Sequence, residues 1–160
     1  MGATEPQRPV QVPGSAVPFI AVGAASIIAG GIVAAVTRPT DFGHGSWLAA
    51  YLVLVGGAGL IALGVGQAWF ARVPPSSTTT SGQLVAWAVS TAAVVAGTLV
   101  EVPVLVAVGG VVLLGVLVTF VLSVRGSSHR GALIWIYRCV IVVLVVSIPI
   151  GVVLAVSRNG

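Results

Sequence analysis

The stretch "GTLVEVPVLV", residues 97–106, interrupts the longest apolar run of the chain with one Glu and one Pro. The run extends from Leu84 to Val124, and its 41 residues would make a helix about 60 Å long. The hydrocarbon core of a bilayer is only about 30 Å thick. A charge seeks the membrane interface, and Pro103 disfavours helix at the residue before it. We therefore expect "VEVP" at 100–103 to turn the chain between two antiparallel helices.

The composition is that of a membrane protein. Of the 160 residues, 58% are hydrophobic and 6% are charged, and the mean hydropathy is +1.16. A soluble domain is about a quarter charged, whereas apolar runs of about 20 residues match the bilayer core. The sequence predicts an all-α integral membrane protein, a bundle of five transmembrane helices that forms one domain over 16–157. The predicted spans are 16–37, 47–71, 83–100, 103–124 and 132–157, after a disordered, Pro-rich cytoplasmic tail at 1–15.

The arginines indicate which end of the bundle faces the cytoplasm. The chain has seven Arg and no Lys. With a cytoplasmic N-terminus, five Arg lie on the inner side and two on the outer side, as the preference of positive charge for the inner side requires. We expect a multi-pass protein of the plasma (inner) membrane with its N-terminus cytoplasmic and its C-terminus outside. The inner set is Arg8, Arg72, Arg125, Arg130 and Arg138, and the outer set is Arg38 and Arg158.

Several function classes fit the sequence poorly. The phosphate-binding, zinc-protease and serine-hydrolase motifs are missing from the chain, so we expect no enzymatic activity and no bound cofactor. Scattered arginines do not make the clustered basic surface that nucleic acid needs, so we expect no nucleic-acid partner. A single cysteine, Cys139, excludes an internal disulfide.

The stretch "TRPTDFGHGSWLAAY", residues 37–51, concentrates polar chemistry between the first two spans. It holds Asp41 and His44, and the predicted topology places Glu101 on the same outer side. Carboxylate and imidazole groups would suit zinc or copper, and a Glu near an apolar boundary could carry a proton. These three residues are the candidate metal ligands. The competing interpretation is structural, because interfacial carboxylates also mark where helices end.

Haem is a weaker possibility for the same region. The only histidines are His44 and His129, and the predicted topology puts them on opposite faces of the bilayer. One chain could not offer both to one haem, so haem binding would need another axial ligand or a dimer.

Small residues recur every four positions on four of the predicted spans, a pattern that lets helices approach closely in lipid. We expect an accessory or interaction component of a membrane assembly, which contacts the lipid bilayer and a membrane-protein partner or a second copy. The alternatives are an outer-face metal, haem or proton binder and, third, a small transporter or channel subunit. The small-residue sets are Ser26, Gly30 and Ala34; Ala58, Ala62 and Gly66; Ala88, Ala92 and Ala96; and Ser147, Gly151 and Ala155.

The segment "GHGSWLAAYLVLVGG", residues 43–57, together with the wealth of Ala, Val and Gly, resembles uncharacterised small multi-spanning actinobacterial membrane proteins. The resemblance covers about a tenth of the chain. It implies a polytopic membrane fold and no particular activity or functional residue.

Overall fold

A computed structural model describes the backbone of residues 13–40, 42–125 and 132–157, and the side chains of these residues except 132–134 and 148–157. Most of the predicted tail at 1–15 therefore lies outside the described residues, as do Asp41, His129, Arg130 and Arg158. Within the described ranges all regular structure is helical. The helices are α1 (Val17–Thr40, after a short 3-10 turn at Gly14–Ala16), α2 (Gly45–Phe70), α3 (Ser77–Leu99), α4 (Pro103–Val124) and α5 (Ala132–Ser157).

The first four helices are long and apolar enough to cross a membrane. This confirms an all-α membrane bundle. The fifth helix has 26 residues. Among the residues whose side chains are described, its apolar stretch runs from Trp135 to Ser147.

Short links make successive helices antiparallel, so the bundle has two ends. We call the end that carries His44 and Glu101 the His44 end, and the end that carries Arg72, Arg125 and Arg138 the Arg end. The centroids of the Phe70 and Tyr137 rings are 5.8 Å apart, so this part of α5 lies beside the last turn of α2. Helix α2 is central, since it packs against all four others.

Glycines bring α1 and α2 into backbone contact. A Cβ atom on Gly23 would lie 2.5 Å from Ile61 Cγ1 and 3.0 Å from the carbonyl oxygen of Gly57. The relation is reciprocal, because a Cβ on Gly57 would lie 3.0 Å from the carbonyl oxygen of Gly23. Farther along, a Cβ on Gly30 would lie 3.0 Å from the carbonyl oxygen of Ala49. We call Gly23, Gly30 and Gly57 the glycine seam.

The middle of α2 is π-helical, from Leu52 to Gly59. A π-helix bonds each carbonyl to the N–H five residues on instead of four, so each turn is wider than that of an α-helix. The four-residue spacing predicted for Ala58, Ala62 and Gly66 is therefore broken: Ala58 is exposed, whereas Gly56 and Gly57 are buried.

Two other predicted small-residue sets also need correction. On α1, Ala34 is exposed and Gly23 takes its place in the contact with α2. On α3, all three alanines are exposed, because the larger Gln83 and Trp87 fill the space toward the other helices. Of the set on α5, Gly151 and Ala155 lie outside the described side chains.

The predicted turn between α3 and α4 is confirmed at "VEVP". Helix α3 ends at Leu99 and α4 begins at Pro103, which occupies the first helical position. The Val102 N–H donates to the Gly97 carbonyl at 2.9 Å, the six-residue bond of a Schellman motif. Glu101 has φ 55° and occupies the position that usually holds glycine.

The start of α3 differs from the predicted span 83–100, since the helix already begins at Ser77. Ser76 caps it: its Oγ accepts a hydrogen bond from the Thr79 N–H at 3.1 Å. A hydroxyl that satisfies a free N–H of the first turn stabilises a helix start. The Ser- and Thr-rich stretch before Gln83, which has the composition of a link, therefore forms the first turns of this helix, and Gln83 lies inside it.

Aromatic and branched side chains fill the centre of the bundle. The Phe19 and Phe120 ring centroids are 5.6 Å apart, and those of Trp87 and Phe120 are 6.4 Å apart, both edge to face. These three rings join α1, α3 and α4 in one apolar cluster. Its other members include Leu60, Leu63, Leu113 and Leu117, all nearly inaccessible to solvent.

Candidate functional site

The predicted metal ligands lie at the His44 end as far as the structure describes them. His44 directly precedes α2, is exposed, and accepts the Leu48 N–H on its backbone carbonyl at 2.9 Å. Glu101 is exposed in the α3–α4 turn. Asp41 lies outside the described residues. The described residues contain no group of three His, Cys, Asp or Glu side chains that could hold a metal, so a site made of His44, Asp41 and Glu101 stays a prediction.

A second polar pair lies one turn and a half into α2 from the His44 end. The hydroxyl of Tyr51 approaches that of Thr91 on α3. Both hydroxyl oxygens are buried, and neither has a partner of strict hydrogen-bond geometry in the described part of the chain. The Tyr51 ring stacks on Trp47 at 5.3 Å, which anchors this part of α2 near the end of the bundle.

The richest polar arrangement is buried near the Arg end, between α2, α3 and α4. Gln67 Nε2 donates to Ser123 Oγ at 3.1 Å, and Gln83 Nε2 donates to Thr119 Oγ1 at 3.0 Å. Gln67 is 0% exposed and Gln83 is 5% exposed. We call these four residues the glutamine cluster.

Each hydroxyl of the cluster also donates to its own helix. Thr119 Oγ1 donates to the Val116 carbonyl at 2.7 Å, and Ser123 Oγ donates to the Thr119 carbonyl at 2.8 Å. A hydroxyl has one hydrogen, so these two oxygens can only accept from the glutamines. Each amide must turn its NH₂ group toward α4. Both Oε1 atoms then point elsewhere, and both are buried without a hydrogen-bond partner among the described residues.

Two buried donors belong to the same region. Trp87 lies one turn beyond Gln83 on the buried face of α3, and its Nε1–H has no partner within the described chain. The Tyr137 ring lies against Gly66, the neighbour of Gln67, so closely that Gly66 has no room for a side chain. The Tyr137 hydroxyl is likewise buried and unpartnered in the described residues.

Arginines surround this end of the bundle. Arg72 and Arg125 follow the last residues of α2 and α4, and both are exposed. Arg138 is also exposed, with its guanidinium 5.8 Å from the centre of the Trp135 ring. Because Tyr137 packs on Phe70, Arg138 lies level with the last turn of α2. Its charge is therefore at the boundary of the bundle and not in its middle.

Sequence reasoning missed half of the glutamine cluster. Gln67 and Ser123 are recognisable as polar residues inside spans, whereas Gln83 stands at the first position of the predicted span 83–100 and Thr119 is hidden in an apolar run. A signal was present, because an uncharged amide inside a membrane helix needs a partner on another helix. Which partner it finds depends on the packing of three helices.

Comparison with protein-family models, with curated proteins and with solved structures gives no match for this chain. The resemblance to small actinobacterial membrane proteins therefore stays a prediction.

Proposed function

We propose that this protein is an accessory or interaction component of a membrane assembly, without chemistry of its own. The observation that supports this is the exposed face of α3. Ala88, Ala92 and Ala96 follow one another along that face at four-residue intervals, and all three are exposed.

Such a face suits a helix of another membrane protein or of a second copy. Lipid tails are as apolar as side chains, so helices in a bilayer associate through close contact and not through the hydrophobic effect. Alanines allow a partner backbone to approach. The exposed face of α4 differs, because bulky residues such as Val104, Val111 and Val118 project from it.

The test replaces Ala92 with Phe in the full chain. We expect the variant to lose partners that co-purify with the wild type in mild detergent, or to shift from an oligomer to a monomer. Val111→Phe is the matched control, since it adds a ring at another lipid-exposed position, and it should leave the association unchanged. A wild-type protein that is monomeric and recovers no partner would refute the proposal.

We also propose that α5 is a fifth span, which would put the two termini on opposite sides of a plasma membrane, and that the N-terminus is cytoplasmic and the C-terminus outside. The arginines at the Arg end support this orientation. In a Cys139→Ser background, a cysteine introduced at Thr40 should react with an impermeant thiol reagent added from outside. A cysteine introduced at Arg72 should react only after the membrane is opened. The reverse pattern would invert the orientation.

A second candidate function is an outer-face binder of metal, haem or protons that uses His44, Asp41 and Glu101. The conformation of Glu101 supports it, because a non-glycine residue with positive φ stores strain that often accompanies a functional site. Metal analysis and an absorption spectrum of the purified protein test this proposal. A metal or haem signal that disappears in His44→Ala would support it, and a protein with neither signal would exclude metal and haem.

A further inference from the structure

We propose that the exposed face of α5 binds a phospholipid whose headgroup carries a net negative charge. The lipid phosphate would lie on the guanidinium of Arg138, and an acyl chain would lie along the valines that follow. The inference rests on the proposal that α5 enters the membrane, and the experiment below separates the two. It is independent of the partner face on α3 and of the side that the Arg end faces.

The site is built on one face of α5. The buried side chains of this helix pack on the rest of the bundle, and they are Tyr137, Ile141 and Leu144. Because a helix turns by about 100° per residue, the opposite face carries, in order from the Arg end, Trp135, Arg138, Val142 and Val146. Trp135 is 66% exposed, Val142 59% and Val146 53%, and Arg138 is exposed as well. We call these four residues the α5 face.

The guanidinium of Arg138 lies at the level of lipid headgroups. Side chains on a helix lean toward its start, and Arg138 Cζ is 5.8 Å from the centre of the Trp135 ring, one turn back. Tyr137, the neighbour of Arg138, contacts Phe70 in the last turn of α2. Tryptophan rings prefer the headgroup level, and a lipid-exposed arginine is least costly where phosphates surround it. The position therefore suits a lipid phosphate.

The charge of this end favours an anionic headgroup. Glu101, the one carboxylate whose side chain the structure describes, lies at the other end of the bundle. The whole chain has seven Arg but three Asp and Glu, so at least four Arg have no acidic side chain of their own. Arg72 and Arg125 are at the same end as Arg138 and are exposed too. Together they attract an anionic headgroup and repel the ammonium group of a zwitterionic one.

The side chains beyond Arg138 favour a lipid over a helix of another protein. Helices in a bilayer approach closely where small residues line the contact, as the alanines on α3 do. The α5 face instead offers an indole ring, a guanidinium and two branched side chains, with a single charge above an apolar strip. That order, from headgroup level to hydrocarbon, matches the phosphate and acyl chain of a lipid. A free phosphate ion would use the charge and leave the strip without a role.

The test is photo-crosslinking of the full-length protein in bilayers of phosphatidylcholine with a small fraction of phosphatidylglycerol. A diazirine is placed in the acyl chain of one lipid or the other, at equal probe concentration, and peptide mass spectrometry locates the crosslinks. We expect the phosphatidylglycerol probe to label Val142 and Val146 several times more than the phosphatidylcholine probe. The exposed valines of α4, Val111 and Val118, should be labelled equally by both.

The two probes separate the lipid site from the fifth span. Equal labelling of the α5 face by both would overturn the site and leave the span standing. No labelling of that face by either probe would overturn both proposals, because α5 would then not face lipid.

Substitution shows whether Arg138 carries the preference. Arg138→Gln should lower the ratio of phosphatidylglycerol to phosphatidylcholine crosslinks on the α5 face about fivefold, the effect of one cation near an anionic lipid surface. Arg38→Gln is the matched control, since it removes the same charge from an exposed position on α1 at the other end of the bundle, and it should leave the ratio unchanged. An unchanged ratio in Arg138→Gln would overturn the proposal.

A competition experiment identifies the ligand as a lipid. Inorganic phosphate added to the wild-type protein in the same bilayers should leave the crosslinks of the phosphatidylglycerol probe unchanged, because it lacks acyl chains. Displacement of the probe by inorganic phosphate would overturn the assignment to a lipid and make the site one for soluble anions. A shift of Arg138→Gln from an oligomer to a monomer, without a change in lipid crosslinks, would assign the α5 face to a second copy and overturn the proposal as well.

Discussion

The glycine seam and the glutamine cluster hold helices together in opposite ways. At the seam, α1 and α2 meet through backbone atoms, and side chains are kept out by Gly23, Gly30 and Gly57. At the cluster, α2, α3 and α4 meet through long polar side chains that reach across the gap to hydroxyls. Both kinds of contact hold helices together in a bilayer, where the hydrophobic effect does not favour contact between two apolar helices over contact with lipid.

The two regions should differ in how well they tolerate substitutions. A seam of backbone contacts depends on the lack of a Cβ, so the smallest added group disrupts it. A hydrogen bond between side chains can be lost while the backbones keep their distance, and its net value in a membrane is modest. The seam should therefore be the more sensitive region, and the following substitutions measure the contrast.

The largest loss of stability is expected for Gly23→Ala. The new methyl would meet Ile61 Cγ1 at 2.5 Å and the Gly57 carbonyl oxygen at 3.0 Å, and neither atom is the free end of a flexible chain. Overpacking of this kind costs roughly 1–3 kcal/mol, which a denaturation series in detergent would measure. Gly31→Ala is the control on the same helix, because its methyl would meet nothing within 4 Å. It should be neutral or stabilising by up to about 1 kcal/mol through helix propensity. Equal effects of the two changes would mean that α1 and α2 do not touch through Gly23.

A smaller effect is expected at the glutamine cluster. In a double-mutant cycle of Gln67→Ala and Ser123→Ala, the coupling energy should be about 0.6 kcal/mol, the average for hydrogen bonds between membrane helices. A second cycle, of Gln67→Ala and Thr98→Ala, should show no coupling, since these residues lie near opposite ends of the bundle. A Gln67–Ser123 coupling larger than the loss from Gly23→Ala would reverse the ranking of the two regions.

The two regions also differ in how far the sequence predicts them. The "VEVP" turn was predictable because one charge and one proline break an apolar run twice as long as a bilayer is thick. The small-residue spacing on α1 predicted a close helix contact at Ser26 and Gly30, and the structure shows that both residues lie against α2. The spacing on α2 was misleading, because a four-residue period assumes an α-helix and Leu52–Gly59 is π-helical.

The glutamine cluster could not be predicted, for two physical reasons. The run of Ser and Thr before Gln83 has the composition of a link, yet the cap at Ser76 turns it into the first turns of α3. The pairing of Gln67 with Ser123 joins residues 56 positions apart, and no local pattern encodes such a contact. The candidate ligand His44, by contrast, is visible in the sequence because it stands in a short polar link.

The last expected effect is a gain in stability, and it concerns the turn that joins α3 to α4 at the far end from the cluster. Glu101 holds φ 55° at the glycine position of a Schellman motif, where a side chain costs about 1–2 kcal/mol and glycine loses part of that gain through its freer unfolded chain. Glu101→Gly should therefore stabilise the protein by roughly 0.5–1 kcal/mol in the same denaturation assay. Glu101→Ala separates charge from conformation, because it removes the carboxylate and keeps the strain, so it should not stabilise. Equal stabilisation by both changes would assign the effect to the charge. A gain confined to Glu101→Gly would show that the turn, as well as the glutamine cluster, sets how firmly α3 and α4 are paired.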